Sequence, residues 1–465
     1  MSFHNYGLYQ LYNKSMLNYL FYFSDNLKEK KNSVMLSKHC MILIHSLISP
    51  ISRCSLAVCL SSSLMYLVEE HYYTINKTVL KGLGIWPHDK SRLAFLRRML
   101  FLTLAVTYIA LQLAVFITSK YNMNLFVKTM SLAFPSILFT LKYITFMFRT
   151  KTMKNLHHRM REDWKLMQNK IEHDIIKKCA HDCQNYIIFI SQSIAVLIII
   201  LVIIQFLPVT LDFIWPLDEP RSHKPIITVE YFIFQDDHFY IATFHQTIIV
   251  ALFTAIMIAT GTTLLLFALH SFGMFKIASH RIKHSIDNYV IRMPNCEMER
   301  TIYKRIIHVI IAHRRAMEFS NILVSALNVP YCTIVIIGVF SLSINLFRFV
   351  QAVTISMDIE DILVSFSAVF GHLVYMFIAI YVGQKATDHN DELFRLTYDT
   401  SWYLIPVTSQ KLILFLITRT GKEFYYTLGY IFVAKIENFA MVSNTKNNNK
   451  IHFFKNLYTS YVFSS

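Results

Sequence analysis

Few residues of this 465-residue chain have the types and spacing that chemistry requires. His157-His158 offers groups for acid–base work, but Lys154, Arg159 and Arg161 surround it, which predicts a solvated face. Gly82 and Gly84 continue into no further glycine pattern, so no phosphate-binding loop is expected. The Ser, His and acidic residues form no nucleophile motif, and an enzymatic function is not expected. The chain has seven cysteines. Cys179 and Cys183 flank an apolar segment on its basic side, Cys296 sits in a basic loop, and Cys332 lies inside an apolar run. Without a Cys-x-x-Cys pair or a disulfide framework, reduced or membrane-buried thiols are expected, with no metal and no cofactor. His245, Gln246 and His372 also fall within apolar segments, where polar groups usually hydrogen-bond a neighbouring helix.

The elements that carry these residues are membrane helices. Hydrophobic residues make up 54% of the chain and charged residues 16%, well outside the usual soluble range. A spanning helix needs about 20 mostly apolar residues. Such runs cover roughly residues 99–118, 125–148 (with Pro135 inside), 186–207, 241–269, 322–346 and 362–382. A seventh run starts at Tyr425 but carries Lys435 and Glu437, then meets the polar stretch Thr445-Lys446-Asn447-Asn448-Asn449-Lys450. The expected fold is all-α, a polytopic membrane bundle of seven spans whose last span is atypical or truncated. Residues 70–442 form the membrane domain. Residues 1–69 are an atypical extension whose apolar part is broken by Pro50 and Arg53 and starts too far from Met1 for a cleaved signal. Residues 443–465 are a divergent polar tail.

Charge sets the orientation. The segments before the first span, between the second and third, and between the fourth and fifth are rich in Lys and Arg. The alternate connections are poor in them, and two are acidic: Asp212 to Asp237, and Arg348 against Asp358, Glu360 and Asp361. By the positive-inside rule the N-terminus is cytosolic, and seven spans then place the C-terminus outside. The sequon Asn76-Lys77-Thr78 is therefore expected to stay unglycosylated. Trp86, beside Pro87, suits the headgroup region. The net charge of +16 reads as orientation signals and affinity for anionic membrane lipid. Basic residues are not clustered with aromatics, which argues against nucleic acid.

Several motifs resemble those of the insect odorant receptor family. They are His71-Tyr72-Tyr73-Thr74-Ile75-Asn76 before Gly84-Ile85-Trp86-Pro87; Tyr231-Phe232 with Gln235 and Phe239-Tyr240; and His313-Arg314-Arg315-Ala316-Met317-Glu318-Phe319. The others are Gly383-Gln384-Lys385, Trp402, Pro406, Gln410-Lys411 and Phe432-Val433-Ala434. The resemblance implies a tuning subunit of an odorant-gated cation channel, in a heterotetramer with the family's shared co-receptor. It also implies a ligand pocket in the outer half of the bundle, a pore-lining last helix, and a cytosolic subunit anchor over about Asp388 to Gly421, including Trp402, Tyr403, Pro406 and Gln410.

With this orientation the outer half-helices supply Phe126, Met130 and Phe134 from the second span and Ile200, Ile203 and Phe206 from the third. Thr243, Phe244 and Thr247 come from the fourth, and Phe366 and Phe370 from the sixth. An apolar, aromatic cavity with one or two hydroxyls suits small volatile ligands. At helical spacing the same residues also serve plain packing. A G-protein-coupled chemoreceptor, a transporter, and a non-conducting subunit with a divergent C-terminus are the alternative readings.

Overall fold

The computed structural model describes residues 76–167, 169–214, 229, 239–422, 424–428 and 432–436. By internal contacts the chain divides into Met1–Leu67 and Val68–Ser465, and every described residue belongs to the second unit. The terminal segments, the loop motif Tyr231-Phe232 with Gln235, and Glu437 lie outside the described residues.

The second unit is a helical bundle. Its helices are α1 (Arg92–Thr118), α2 (Met123–Phe148), α3 (Thr150–Lys165), α4 (Lys170–Ile214), α5 (Phe239–Lys283), the single turn α6 (Asn288–Ile291), α7 (Asn295–Gln351), α8 (Ile359–Tyr398) and α9 (Val407–Thr420). A short antiparallel pair follows, β1 (Thr427–Leu428) with β2 (Phe432–Val433), in the register Thr427 to Val433 and Leu428 to Phe432. Helices α1, α2, α5, α7 and α8 are each long and apolar enough to cross a membrane. The 45-residue α4 contains the third apolar run. The first six expected spans therefore all lie within helices, several of which run far beyond the bilayer. At the start of the seventh run the structure departs from expectation. Thr427–Leu428 and Phe432–Val433 pair as short strands where that run begins, Ile436 is already helical, and the rest of the expected span lies outside the described residues. β-branched Thr427 sits opposite β-branched Val433, and Leu428 opposite Phe432, which fits that pleated pairing.

Local signals set the helix starts. The Ser91 hydroxyl accepts the Ala94 N–H at 3.1 Å, Asn122 accepts Asn124 N–H at 3.0 Å, and Asp358 accepts Glu360 N–H at 3.1 Å. Threonine is tolerated inside the apolar helices because its hydroxyl bonds back to the carbonyl one turn earlier. Thr140, Thr145 and Thr254 do so at 2.7–2.8 Å.

Helix α5 is the hub, packed against α1, α2, α4, α7 and α8. Within lipid the hydrophobic effect does not hold helices together, so packing and interhelical hydrogen bonds must. Beyond the bilayer, ordinary apolar burial takes over. At the basic end Ala278, Ile282, Val309, Ala312, Leu393 and Leu416 form one core, and Val290, Met298, Ile302, Ile306, Ile405 and Ile413 another. Each fully buried Ile or Leu there contributes roughly 1.5–3 kcal/mol.

Three expectations change. Trp86 is only 8% exposed and packs 5.3 Å from His157, so it faces protein and not headgroups. His157 is buried too. Helix α3 is amphipathic and turns His157 inward with Met153, Leu156 and Met160, while His158 stays in solvent beside Glu162. Arg348, counted above as a loop charge, lies inside α7 and is 3% exposed.

Candidate functional site

The outer half of the bundle places the expected ligand residues in two settings. On α2, Phe126, Met130 and Phe134 recur every fourth residue and are half-buried. Phe126 lies 5.8 Å from Phe116 of α1, and Phe134 stacks at 6.4 Å on Phe340 of α7. Thr243 of α5 is fully buried, and its carbonyl accepts the Thr247 hydroxyl at 2.8 Å. Other residues point away from the chain's own core: Phe244 is 68% exposed, and Ile200, Ile203, Phe366 and Phe370 are exposed as well. Phe206 is half-buried. Phe366 and Phe370 stack on each other at 6.0 Å, and Phe349 of α7 lies 5.9 Å from Phe366. The outward group lies on the surface of this chain, while the α2 group and Thr243 face its helices. His245 packs 6.0 Å from Tyr108 of α1, and His372 donates from Nδ1 to the Ala368 carbonyl at 2.7 Å.

At the acidic end, α2, α7 and α8 are tied by a charge cluster that charge counting alone missed. Arg348 donates to the Ser131 hydroxyl at 2.7 Å and to Asp361 at 2.9 Å. Lys128 reaches the other Asp361 oxygen at 2.5 Å, and Asn345 donates to the Ser131 carbonyl at 2.9 Å. A π-helical turn over Ala352–Ser356 and Met357, at φ 48°, swing the chain from α7 into α8 around this cluster.

Below the membrane the motif residues acquire physical roles. Arg315 and His270 both donate to buried Asp163, at 2.5 and 3.0 Å, joining α7, α5 and α3. Glu318 pairs with Arg314 and with Arg159 of α3. His313 faces Asn390 at 3.4 Å, and Asn390 donates to the Thr420 carbonyl at 2.9 Å. Arg281 grips Glu172 through two bonds of 2.7 and 2.9 Å and also bonds the His308 carbonyl. In the connection after α5, Asp287 caps α6. The Val290 N–H, and then Arg305, hold its carboxyl below the usual carboxylate range.

The expected anchor residues lie together around α9. Trp402 packs against the second core, edge-on to Tyr403 at 6.1 Å. Pro406 precedes the first turn of α9, where its missing N–H costs nothing, and Gln410 bonds back to the Ile405 carbonyl at 2.8 Å. Tyr403, Leu404, Val407, Leu414 and Phe415 form an apolar face that remains exposed among the described residues. The hairpin docks on α8 through Gly383-Gln384: Thr387 donates to the Phe424 carbonyl at 2.9 Å, and Ile436 N–H to Gln384 at 3.3 Å. Among the described residues no three His, Cys, Asp or Glu side chains converge on a metal position.

The chain matches the family model described as 7tm Odorant receptor over residues 94–445. The chain belongs to the 7tm odorant receptor family. The receptor's fold is also that of solved relatives. It is similar to the olfactory receptor OR5 of Machilis hrabei in complex with eugenol, with a TM-score of 0.64, 11% identity, and coverage of 81% of this chain and 96% of that one. To OR5 without that compound the TM-score is 0.59 at 10% identity, with the same coverage. No curated protein matches the receptor significantly in sequence. Family membership makes this chain a multi-pass membrane receptor and not an enzyme, in keeping with the missing nucleophile motif.

Proposed function

We propose that the receptor is a tuning subunit of an odorant-gated cation channel in the plasma membrane of olfactory sensory neurons. It works in a heteromer with the family co-receptor and detects small volatile molecules. The family match over residues 94–445 carries this reading. The OR5 relative, of the same fold, binds eugenol, which supports a small organic ligand for this chain as well. Phe126, Met130, Phe134 and Thr243, with Thr247 behind them, supply an aromatic surface with hydroxyls in the outer half. Phe244, Phe366, Phe370, Ile200, Ile203 and Phe206 complete the proposed ligand region. The exposed apolar face of Tyr403, Leu404, Val407, Leu414 and Phe415 is the proposed subunit contact, with Trp402, Pro406 and Gln410 holding its shape. Ligand binding then biases a closed-to-open equilibrium.

The test is current recording from cells that express this chain with the co-receptor and lack G-protein signalling. The channel reading expects volatile-evoked currents within milliseconds. Silence there, together with a second-messenger response in cells that have G proteins, would refute it.

A further inference from the structure

Among the described residues, four Asp, Glu, Lys or Arg residues are buried, and three of them meet an opposite charge. Asp163 has His270 and Arg315, Glu172 has Arg281, and Arg348 has Asp361. Lys142 of α2 is different. It is 4% exposed and makes no ion pair among the described residues. It lies six residues before Phe148, the cytosolic end of α2, so about 9 Å of helix separates it from that end. A lysine so near the interface ordinarily snorkels out to water. This one points across the bundle.

Its ammonium lies 3.5 Å from the ring centroid of Tyr375 on α8 and 3.0 Å from Met257 Sδ on α5. The Tyr375 hydroxyl faces that of buried Tyr331 on α7. Four helices therefore meet at one desolvated cation. A ring face and a thioether replace its lost hydration poorly, and an unneutralised charge in such a place is costly. One turn toward the outside on each helix, Phe139 of α2 and Phe253 of α5 form an apolar layer, their rings 5.4 Å apart.

We infer that Lys142, with the Tyr331 and Tyr375 hydroxyls, is the head-group site for a carboxylate carried on an apolar tail. The carboxylate displaces Met257 Sδ from the ammonium and gains a charge-assisted N–H···O bond plus a tyrosine O–H donor. The tail runs outward over Phe139 and Phe253. Two sources offer this chemistry: a small volatile acid arriving from outside, or a fatty acid of the bilayer. Only the volatile source rests on the odorant-gated reading above.

Equilibrium binding of radiolabelled hexanoate and oleate to the purified full chain in zwitterionic lipid nanodiscs tests the site. The expected result is saturable binding of at least one acid, competed by the acid and not by 1-hexanol. Lys142→Met should weaken it by about tenfold or more, and Lys142→Arg should retain it. Removing an unpaired buried charge should leave the Lys142→Met thermal midpoint unchanged or raised. Tyr375→Phe, which keeps the ring, should weaken acid binding without unfolding the chain. Lys142-dependent hexanoate binding identifies the volatile source, and oleate binding alone the bilayer source. Binding of neither acid, equal binding in the Lys142→Met protein, or equal competition by 1-hexanol overturns the inference. Currents evoked by neutral volatiles alongside absent acid binding would sink this site and leave the channel reading standing. Lys142-dependent acid binding without any evoked current would do the reverse.

Discussion

Gly383 of α8 and Ala434, just past β2, are in backbone contact: a methyl group on Gly383 would overlap the Ala434 side chain and sit 2.8 Å from its carbonyl oxygen. The seat of the hairpin thus depends on one missing side chain, and the pair Gly383-Gln384 acts as a socket for the returning chain.

Gly383→Ala should therefore destabilise the receptor by about 1–3 kcal/mol, the usual cost of overpacking a tight contact. A lowered midpoint in thermal unfolding monitored by size-exclusion fluorescence is the expected result, with part of the loss recovered by Ala434→Gly. An unchanged midpoint would mean that the hairpin is placed by other contacts.

The outer cluster makes a second prediction. Asp361→Asn leaves buried Arg348 without its counter-charge, a loss of about 3–5 kcal/mol, and Arg348→Met should cost less because Lys128 still pairs with Asp361. The double replacement Arg348→Met with Asp361→Leu should recover most of it, as a double-mutant cycle on the thermal midpoint can measure. Lys128 is more exposed, with a third of its side chain in solvent. Lys128→Met should therefore cost only about 0–1 kcal/mol. Additive losses for Arg348 and Asp361 would rule out the coupling.

Asp287 predicts a pH effect on the α6 cap. Its folded pKa is depressed by the Val290 N–H first and Arg305 after it, so its contribution is fully present above the unfolded value of 3.8. That contribution is lost as pH falls through the lower folded value. The midpoint of Asp287→Ala should lie below the parent's at neutral pH, and the gap should close only under acid conditions beneath 3.8. A gap that widens in acid would reverse the sign.

Orientation has its own check. Asn76 is 2% exposed and spends its amide on Thr262 and Thr263 at 2.6 and 3.1 Å, so its sequon should carry no glycan and glycosidase should leave gel mobility unchanged. Exposed Cys296 should react with a membrane-impermeant maleimide only after cells are permeabilised. Labelling of intact cells would invert the topology.

Much of the fold was legible from composition. Each of the first six apolar runs lies in a helix, because a bilayer demands about 20 apolar residues wherever the chain crosses it. The partners of the motif residues were not legible. Arg315 meets Asp163 across 152 residues of sequence, and Arg348 meets Ser131 across 217. The rotation of each helix also escaped pattern reading: Phe244 and Thr243 are adjacent in sequence, yet one is exposed and the other fully buried. Lys142 did leave a signal, a cation well inside the second apolar run, but its significance lay in having no acid beside it among the described residues. Only packed helices reveal that.

By itself the sequence determined membrane residence, the number of helical runs through the described bundle, the charge alternation, and a set of motifs in family order. These are one-dimensional properties, fixed by bilayer thickness and by local charge. The tertiary structure decided that Thr427–Leu428 pairs with Phe432–Val433 beside Gly383, that His157 and Trp86 turn inward, and that Lys142 lies against Tyr375 with no counter-ion among the described residues. Those outcomes depend on helix rotation and on contacts between segments far apart in the chain, which no local pattern records.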